Sequence, residues 1–300
     1  MKCLVLGANG FIGSHVVDLL KKQFGYAASF ARHAYQYNND VVSHIGDIHN
    51  HDAVENTLVG HDCVIHSIST STPAIAAADP KFDIEANLLP TIFLVQAMAR
   101  KNVRKLVYIS SGGTVYGNPI SLPVNESAVL NPISIYGATK VAVENYLTIL
   151  CAQLDIDLTI VRPSNPFGPR QYCKGAQGLI ATLLDKAIYK QPIMLFDEGK
   201  AIRDYIYIDD LVQAIYQIIN RGAVGIYNIS YNSGYNVEDI TSLVEQVTGH
   251  YFARILKPKR EFDIVEIVLD SAKAQKDLDW KPMVEIEEGI NRQFTWMLNI

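Results

Sequence analysis

Cysteine is scarce in this chain, and so is unbalanced charge. The four cysteines, Cys3, Cys63, Cys151 and Cys173, are scattered, with no Cys-x-x-Cys pair and no metal-ligand spacing. That argues against a disulfide scaffold and predicts no metal site. Cys3 and Cys63 lie in apolar, strand-like runs and read as small buried residues of a reduced, intracellular chain. A net charge of -5 provides no basic footprint, which argues against duplex nucleic acid as a partner. Long apolar runs are missing too. The best of them, 88–98, contains Pro90 and Gln96 and falls short of a membrane span. The N-terminal Cys3-Leu4-Val5-Leu6 reaches Gly7 too soon to be the core of a signal peptide. There is no internal repeat. These absences predict a cytoplasmic protein with neither nucleic-acid nor membrane partners.

What is present suits a folded α/β chain. Hydrophobic residues make up 49% and charged residues 19% of the 300, enough for one large α/β unit with a smaller lobe attached. Cys3-Leu4-Val5-Leu6 reads as a buried strand and Phe11–Phe24 as a helix with an apolar stripe, with Gly7, Gly10 and Gly13 around the turn between them. A glycine-rich strand-to-helix turn lets backbone approach a pyrophosphate, and the helix N-terminus supplies amide donors and partial positive charge. The three-and-three glycine spacing differs from the commoner two-and-three dinucleotide fingerprint. Further strands are expected at 27–30, 41–45, 63–66, 105–110 and 157–161.

A second feature lies at Ile135-Tyr136-Gly137-Ala138-Thr139-Lys140. In a helix, Tyr136 and Lys140 share one face. A phenol beside a fixed ammonium ion titrates below its ordinary value and can act as a general base near neutral pH. The same residues also suit an ordinary exposed helix whose tyrosine packs and whose lysine is solvated.

Taken together, the motifs have a family likeness. Gly7-Ala8-Asn9-Gly10-Phe11-Ile12-Gly13 resembles the cofactor loop of the extended short-chain dehydrogenase/reductases, the nucleotide-sugar epimerases and dehydratases. That family pairs the loop with a Tyr-x-x-x-Lys dyad, here Tyr136 and Lys140. Ser111-Gly112-Gly113-Thr114-Val115-Tyr116-Gly117 resembles its Ser-Ser-x-x-x-Val-Tyr-Gly loop, Asn165-Pro166-Phe167-Gly168-Pro169-Arg170 its Asn-x-x-Gly-Pro-Arg segment, and 203–210 its Arg-Asp-x-x-x-Val-x-Asp motif. Leu278-Asp279-Trp280-Lys281-Pro282 matches the closing signature. The resemblance implies a doubly wound parallel sheet (Rossmann-type) with a smaller α/β C-terminal substrate lobe. The cofactor domain is expected over 1–164 plus a returning segment at about 201–230, and the substrate lobe over 165–200 and 231–300.

It also implies roles. Gly7, Gly10, Phe11, Ile12, Gly13, Asp47, Ile48, Ser67 and Pro163 would line the dinucleotide, with Asp47 near the adenine amino group. Ala31 stands where NAD-binding members usually carry an aspartate, and Arg32 follows it. Losing that carboxylate removes a repulsion against a 2′-phosphate and the arginine offers a fork for it, so NADP is preferred over NAD. Ser111, Asn165, Arg203 and Arg260 would bind a nucleotide-diphosphate sugar. Relatives are homodimers that pair the helices at 82–101 and 135–153. Proline 90 inside the first of these should kink it or shift its hydrogen bonding.

Two departures matter. Most relatives carry Ser or Thr where this chain has Gly112, and that hydroxyl binds the reacting sugar oxygen. If the backbone stays extended, Thr114 points to the same side as position 112 and substitutes for it, with Ser111 or a water as rivals. Where 4,6-dehydratases carry an Asp-Glu pair this chain has Gly113-Thr114, so dehydration, which needs an acid and a base, is disfavoured. The resemblance therefore points to oxidoreduction at C4 of the sugar: first a UDP-hexose 4-epimerase, next an NADPH-dependent 4-keto sugar-nucleotide reductase. A dinucleotide-binding sensor that has lost its chemistry is the third reading.

Overall fold

The computed structural model describes residues 1–172, 178–258 and 264–300. Among the described residues thirteen strands are interspersed with helices. They are β1 (Cys3–Leu6), β2 (Ala28–Ala31), β3 (Val42–Ile45), β4 (Cys63–His66), β5 (Lys105–Ile109), β6 (Asp157–Pro163), β7 (Asn165–Phe167), β8 (Ile193–Phe196), β9 (Ile202–Tyr207), β10 (Gly225–Ile229), β11 (Gly234–Asn236), β12 (Arg254–Lys257) and β13 (Glu266–Ile267). Seven of them form one all-parallel sheet in the order β10-β6-β5-β4-β1-β2-β3. The order reverses between β1 and β4, and ligands of such sheets bind outside the carboxyl ends of the strands at that reversal. The central strands β1 and β4 are short, largely apolar runs because both faces are covered, whereas the edge strand β3 is mostly exposed. Cys3, Val5, Ile65, Val107 and Val161 pack to one face, and Leu4, Leu6, Val64, Leu106 and Ile160 to the other.

The helices that cover the sheet and the second lobe are, in chain order, α1 (Phe11–Phe24), α2 (His51–Leu58), α3 (Pro73–Ala78), α4 (Pro80–Asp83), α5 (Leu89–Arg100), α6 (Gly112–Val115), α7 (Ile135–Gln153), α8 (Leu179–Ile188), α9 (Ile208–Arg221), α10 (Val237–Thr248), α11 (Ala272–Leu278) and α12 (Ile286–Met297). The expected single helix over 82–101 is broken by a π turn at Ile84–Leu88. Leu89 N–H reaches back five residues to the Ile84 carbonyl, just before Pro90, which has no N–H to give. The proline was expected to disturb the helix, and it does.

β7, β11 and β13 gather on β9 as a second sheet, and β8 pairs with β12 in a small third one. Residues 202–207, at the head of the expected returning segment, therefore lie in the second sheet; α9 and β10 carry the chain back to the first. α9 buries Ile208, Leu211, Val212, Ala214, Ile215, Ile218 and Ile219, an apolar stripe at helical spacing, and packs on α1. Among the described residues no helix is long and apolar enough to cross a membrane.

Candidate active site

The turn after β1 is built to come close to a ligand. Gly7 has φ +83°, a conformation that favours glycine. A β-carbon on Gly13 would lie 2.2 Å from the Gly7 carbonyl oxygen, and one on Gly10 would lie 3.1 Å from it. α1 starts at Gly10 with neither a side-chain cap nor an acidic residue in its first turn, so its leading amides suit an anion. Phe11 and Ile12 open that helix, half-buried. A dinucleotide diphosphate fits this cradle. Ser67, expected along the cofactor, gives its proton to the Leu6 carbonyl at 2.7 Å and packs beside Gly7 and Gly13, so its hydroxyl shapes the cradle from behind. Asn9 was not anticipated: its Nδ2 donates to the His33 and Ala34 carbonyls, both at 3.0 Å, and pins the loop after β2 to the glycine turn.

Arg32 is exposed at the exit of β2. Asp47, at the exit of β3, accepts the backbone N–H of His49 at 3.0 Å and its Nδ1 at 2.7 Å. These two bonds hold its carboxyl below the usual carboxylate range, and the Arg32 guanidinium adds to the effect. Ile48 beside it is buried in the core.

Tyr136 and Lys140 stand on the first turns of α7, whose N-cap Ser134 accepts the Gly137 N–H at 3.1 Å. Tyr136 is half-buried and Lys140 is 6% exposed. The Lys140 ammonium donates to the Tyr108 hydroxyl and the Ile109 carbonyl, both at 3.2 Å, and lies 5.8 Å from the Tyr136 ring centre. Burial pulls its pKa down, but Tyr108, Tyr136 and Glu144 outweigh that and hold it above its ordinary value. The solvated lysine of an ordinary exposed helix is therefore not what the fold contains.

One turn further along α7, Glu144 is 2% exposed and bonded to Ser110 and to Arg162 of β6, whose Nη2 lies 2.5 Å from the carboxylate. Arg162 also donates to the Tyr116 hydroxyl at 2.8 Å, and that hydroxyl donates to Asn228 Oδ1 at 2.7 Å. Sequence reasoning missed this pair, although the spacing of Tyr136, Lys140 and Glu144, four and four, was available as a signal.

The loop after β5 corrects an expectation. The backbone does not stay extended: Ser111 is the extended N-cap and Gly112–Val115 form the short helix α6. Position 112 faces inward, where a β-carbon would lie 2.3 Å from Leu269 Cδ1, 3.0 Å from the Pro163 carbonyl oxygen and 3.1 Å from that of Arg162. Gly112 thus leaves no gap for a hydroxyl to fill, and Pro163 is the wall behind it. Thr114 sits on the other side of the turn. Its Oγ1 is buried without a hydrogen-bond partner, and its carbonyl lies against the first turn of α7, 2.8 Å from where a Gly137 β-carbon would be. Gly113 faces Asn165, whose Nδ2 donates to the Asp204 carbonyl at 2.8 Å.

A family model described as "NAD dependent epimerase/dehydratase family" matches residues 3–232, a span that holds the glycine cradle, α6 and the Tyr136–Lys140 turn together. The chain belongs to that family. This family member is 30% identical over 313 residues to the UDP-glucose 4-epimerase of Mycolicibacterium smegmatis, covering 100% of this chain and 99% of that one. Among solved structures it is similar to the Thermotoga maritima UDP-glucose 4-epimerase with UDP-glucose, at TM-score 0.93 and 28% identity over 100% of this chain and 99% of that one. It is equally similar to the Thermus thermophilus UDP-glucose 4-epimerase complex with NAD, at TM-score 0.93 and 27% identity over 99% of each. It is thus an NAD(P)-dependent enzyme with the doubly wound fold of these epimerases.

The remaining expected residues of this epimerase/dehydratase-family enzyme divide. Arg203, on β9, donates from Nη1 to the Ile202 carbonyl at 2.8 Å and is half-buried. Arg260 lies outside the described residues, as does Cys173. Asp204, next to Arg203, is 1% exposed and accepts N–H groups from Leu269 and Tyr231 at 3.2 and 3.3 Å. Burial pushes its carboxyl up to about 7, more than these donors offset. At the end of the same motif Asp210 accepts the Trp280 indole N–H at its carbonyl and the Met283 and Val284 N–H groups at Oδ2. Trp280 of the closing signature thus ties the chain after α11 to the start of α9.

Proposed function

We propose that this enzyme interconverts the C4 epimers of a UDP-hexose, UDP-glucose and UDP-galactose, through a 4-keto sugar. The observation that carries the reading is the buried Lys140 ammonium beside Tyr136 on the first turns of α7, bonded to the carboxyl end of β5, with the Thr114 carbonyl of α6 packed against the same turn and the Thr114 hydroxyl unpartnered. The M. smegmatis relative, matched end to end, is a UDP-glucose 4-epimerase, which supports it. It also leaves the ketoreductase and sensor readings without an observation in their favour. The bound nicotinamide supplies the chemistry of taking a hydride from C4 and returning it. Tyr136 accepts the C4 hydroxyl proton and later gives it back, and Lys140 stabilises the phenolate form by its charge. Thr114, in preference to Ser111, holds the C4 oxygen. Asn165, Arg203 and Arg260 hold the nucleotide diphosphate, for which guanidinium forks are well suited. Gly113-Thr114 in place of two carboxylates keeps the reaction from running on to water loss.

For the cofactor, no carboxylate stands at the end of β2 and Arg32 is exposed there, which favours NADP; the T. thermophilus relative is a complex with NAD. The proposal is that NADP binds at least as tightly as NAD. Dissociation constants for the two measured on one apo preparation decide this, and tenfold tighter NAD overturns it. Residues 1–164 with the return through α9 and β10 would form the cofactor lobe, and 165–200 with 231–300 the substrate lobe. A homodimer is proposed through α5 and α7, which pack side by side and expose Leu89, Tyr146 and Ile149. The free, buried thiols Cys3, Cys63 and Cys151 support a cytoplasmic setting. The deciding assay is NMR of UDP-galactose incubated with enzyme and cofactor. UDP-glucose should form with no net change in cofactor. Stoichiometric NADPH loss with a 4-keto-6-deoxy sugar nucleotide, and no epimerisation, would replace this reading with the reductase.

A further inference from the structure

Lys140 carries its charge into a nearly closed site, and its ammonium has three donors to place. Two go to the end of β5, to the Tyr108 hydroxyl and the Ile109 carbonyl, and these are its hydrogen bonds among the described residues. Any strand offers a carbonyl. The hydroxyl is different: phenylalanine would fill the same space in this core, and nothing in the proposed chemistry uses the Tyr108 oxygen.

The surroundings hold that phenol in place. Tyr108 is 2% exposed and pairs in register with His66 of β4, whose ring meets it edge-on at 5.5 Å. His66 is itself fixed at both nitrogens. The Thr91 hydroxyl donates to the Asn87 carbonyl at 2.7 Å, so His66 Nε2, at 2.9 Å from Thr91 Oγ1, must be the donor of that pair. Its Nδ1 then accepts the Ile68 N–H at 3.4 Å. This is a neutral imidazole, consistent with a pKa pushed down to about 3 by burial and by the Lys140 charge. A neutral ring behind Tyr108 leaves the ammonium without a competing cation on that side. The other titratable groups around Lys140 are Tyr136 and Glu144 on α7 and, bound to Glu144, Arg162 on β6.

We propose that Tyr108 is the positioning residue of Lys140: its hydroxyl, on a ring braced by His66 and through it Thr91, fixes the ammonium so that the third donor is left for the bound dinucleotide and Tyr136. This rests on the role given to Lys140 above. Because Tyr108 acts through Lys140, its effect should vanish when the ammonium is removed.

The test is a double-mutant cycle with Tyr108→Phe, Lys140→Met and the pair, read first as the NAD dissociation constant of the apo protein by calorimetry. Tyr108→Phe alone should weaken NAD about 10-fold and lower kcat about 10-fold, while KM for UDP-galactose stays within about twofold. In the Lys140→Met background it should change NAD affinity less than about twofold. Wild-type NAD affinity and kcat in Tyr108→Phe, or the same fold-loss in both backgrounds, overturns the proposal, even if the melting temperature falls. Should Tyr108→Phe not fold, Thr91→Val, which frees His66 behind the ring, must weaken NAD in the same background-dependent way, and an additive loss overturns it equally. A wild type that shows the cycle yet leaves UDP-galactose unchanged refutes the epimerase reading alone. One that epimerises with an additive cycle refutes the Tyr108 role alone.

Discussion

Replacing Arg162 with methionine leaves the Glu144 carboxylate in the core with Ser110 as its remaining partner on the strand side. Both charged side chains are only 3% exposed, so water cannot take over the lost bonds. Removing one partner of a buried ion pair costs about 3–5 kcal/mol. The upper end applies here, because Arg162 also loses its bond to Tyr116. Glu144→Gln keeps an oxygen for Ser110 and should cost nearer 3 kcal/mol, the lower end of that range. The double variant, Glu144→Gln with Arg162→Met, carries no buried charge from the pair. Its loss should therefore fall short of the summed singles by at least about 2 kcal/mol. Urea unfolding of the four proteins, followed by circular dichroism with matched slopes, gives the coupling. Singles that add within about 0.5 kcal/mol would falsify the claim that the pair acts as a unit. Turnover should fall in Arg162→Met as well, because the unpaired Glu144 lies one turn from Lys140 and draws on the same ammonium.

Three further outcomes can be checked. Tyr136→Phe should lower epimerisation by about 10²–10⁴-fold with cofactor affinity intact, and calorimetry showing lost binding would contradict the role given to it. Gly112→Ser should not raise turnover and should destabilise by about 1–3 kcal/mol, because the new side chain meets Leu269 and two carbonyls; a more active and equally stable variant would show that position 112 faces the sugar after all. Asp204 has a folded pKa of about 7 against 3.8 for the free group, so its contribution to stability is complete below pH 3.8 and is lost as pH rises through 7. Asp204→Asn should remove up to about 4 kcal/mol of pH dependence across that window, and the check is its urea midpoint minus that of wild type, which should climb from pH 4 to pH 8. Parallel curves would contradict it.

Features that depend on local spacing were legible in the residues. The apolar run at Cys3–Leu6, the glycines that follow and the four-residue step from Tyr136 to Lys140 each encode their geometry within one or two turns of chain. Tyr108, His66 and Arg162 were not legible, because their importance comes from strand register: His66 opposite Tyr108, and β6 beside β5. Asp204 reads as one more acidic residue until burial and the N–H groups of Leu269 and Tyr231 surround it. The backbone conformation leading to Thr114 was misjudged for a different reason. The ladder to β6 ends at Ser110, whose N–H reaches the Val161 carbonyl, and the two glycines after it let the chain coil where an extended run was assumed.

The pairing of β10 with β6 bears on how the molecule is made. On the ribosome, β1 to β6 emerge well before Gly225–Ile229, and until then the outer edge of β6 is a row of unpaired amides and carbonyls beside apolar side chains such as Ile160 and Val161. Such an edge is a template for pairing with the wrong strand. While residues 164–224 are being translated, the nascent chain is therefore open to edge-to-edge misassembly, and this interval is where a chaperone or a slowed codon would do most for yield. A fragment ending at β6 would keep that exposure permanently and should collect in inclusion bodies.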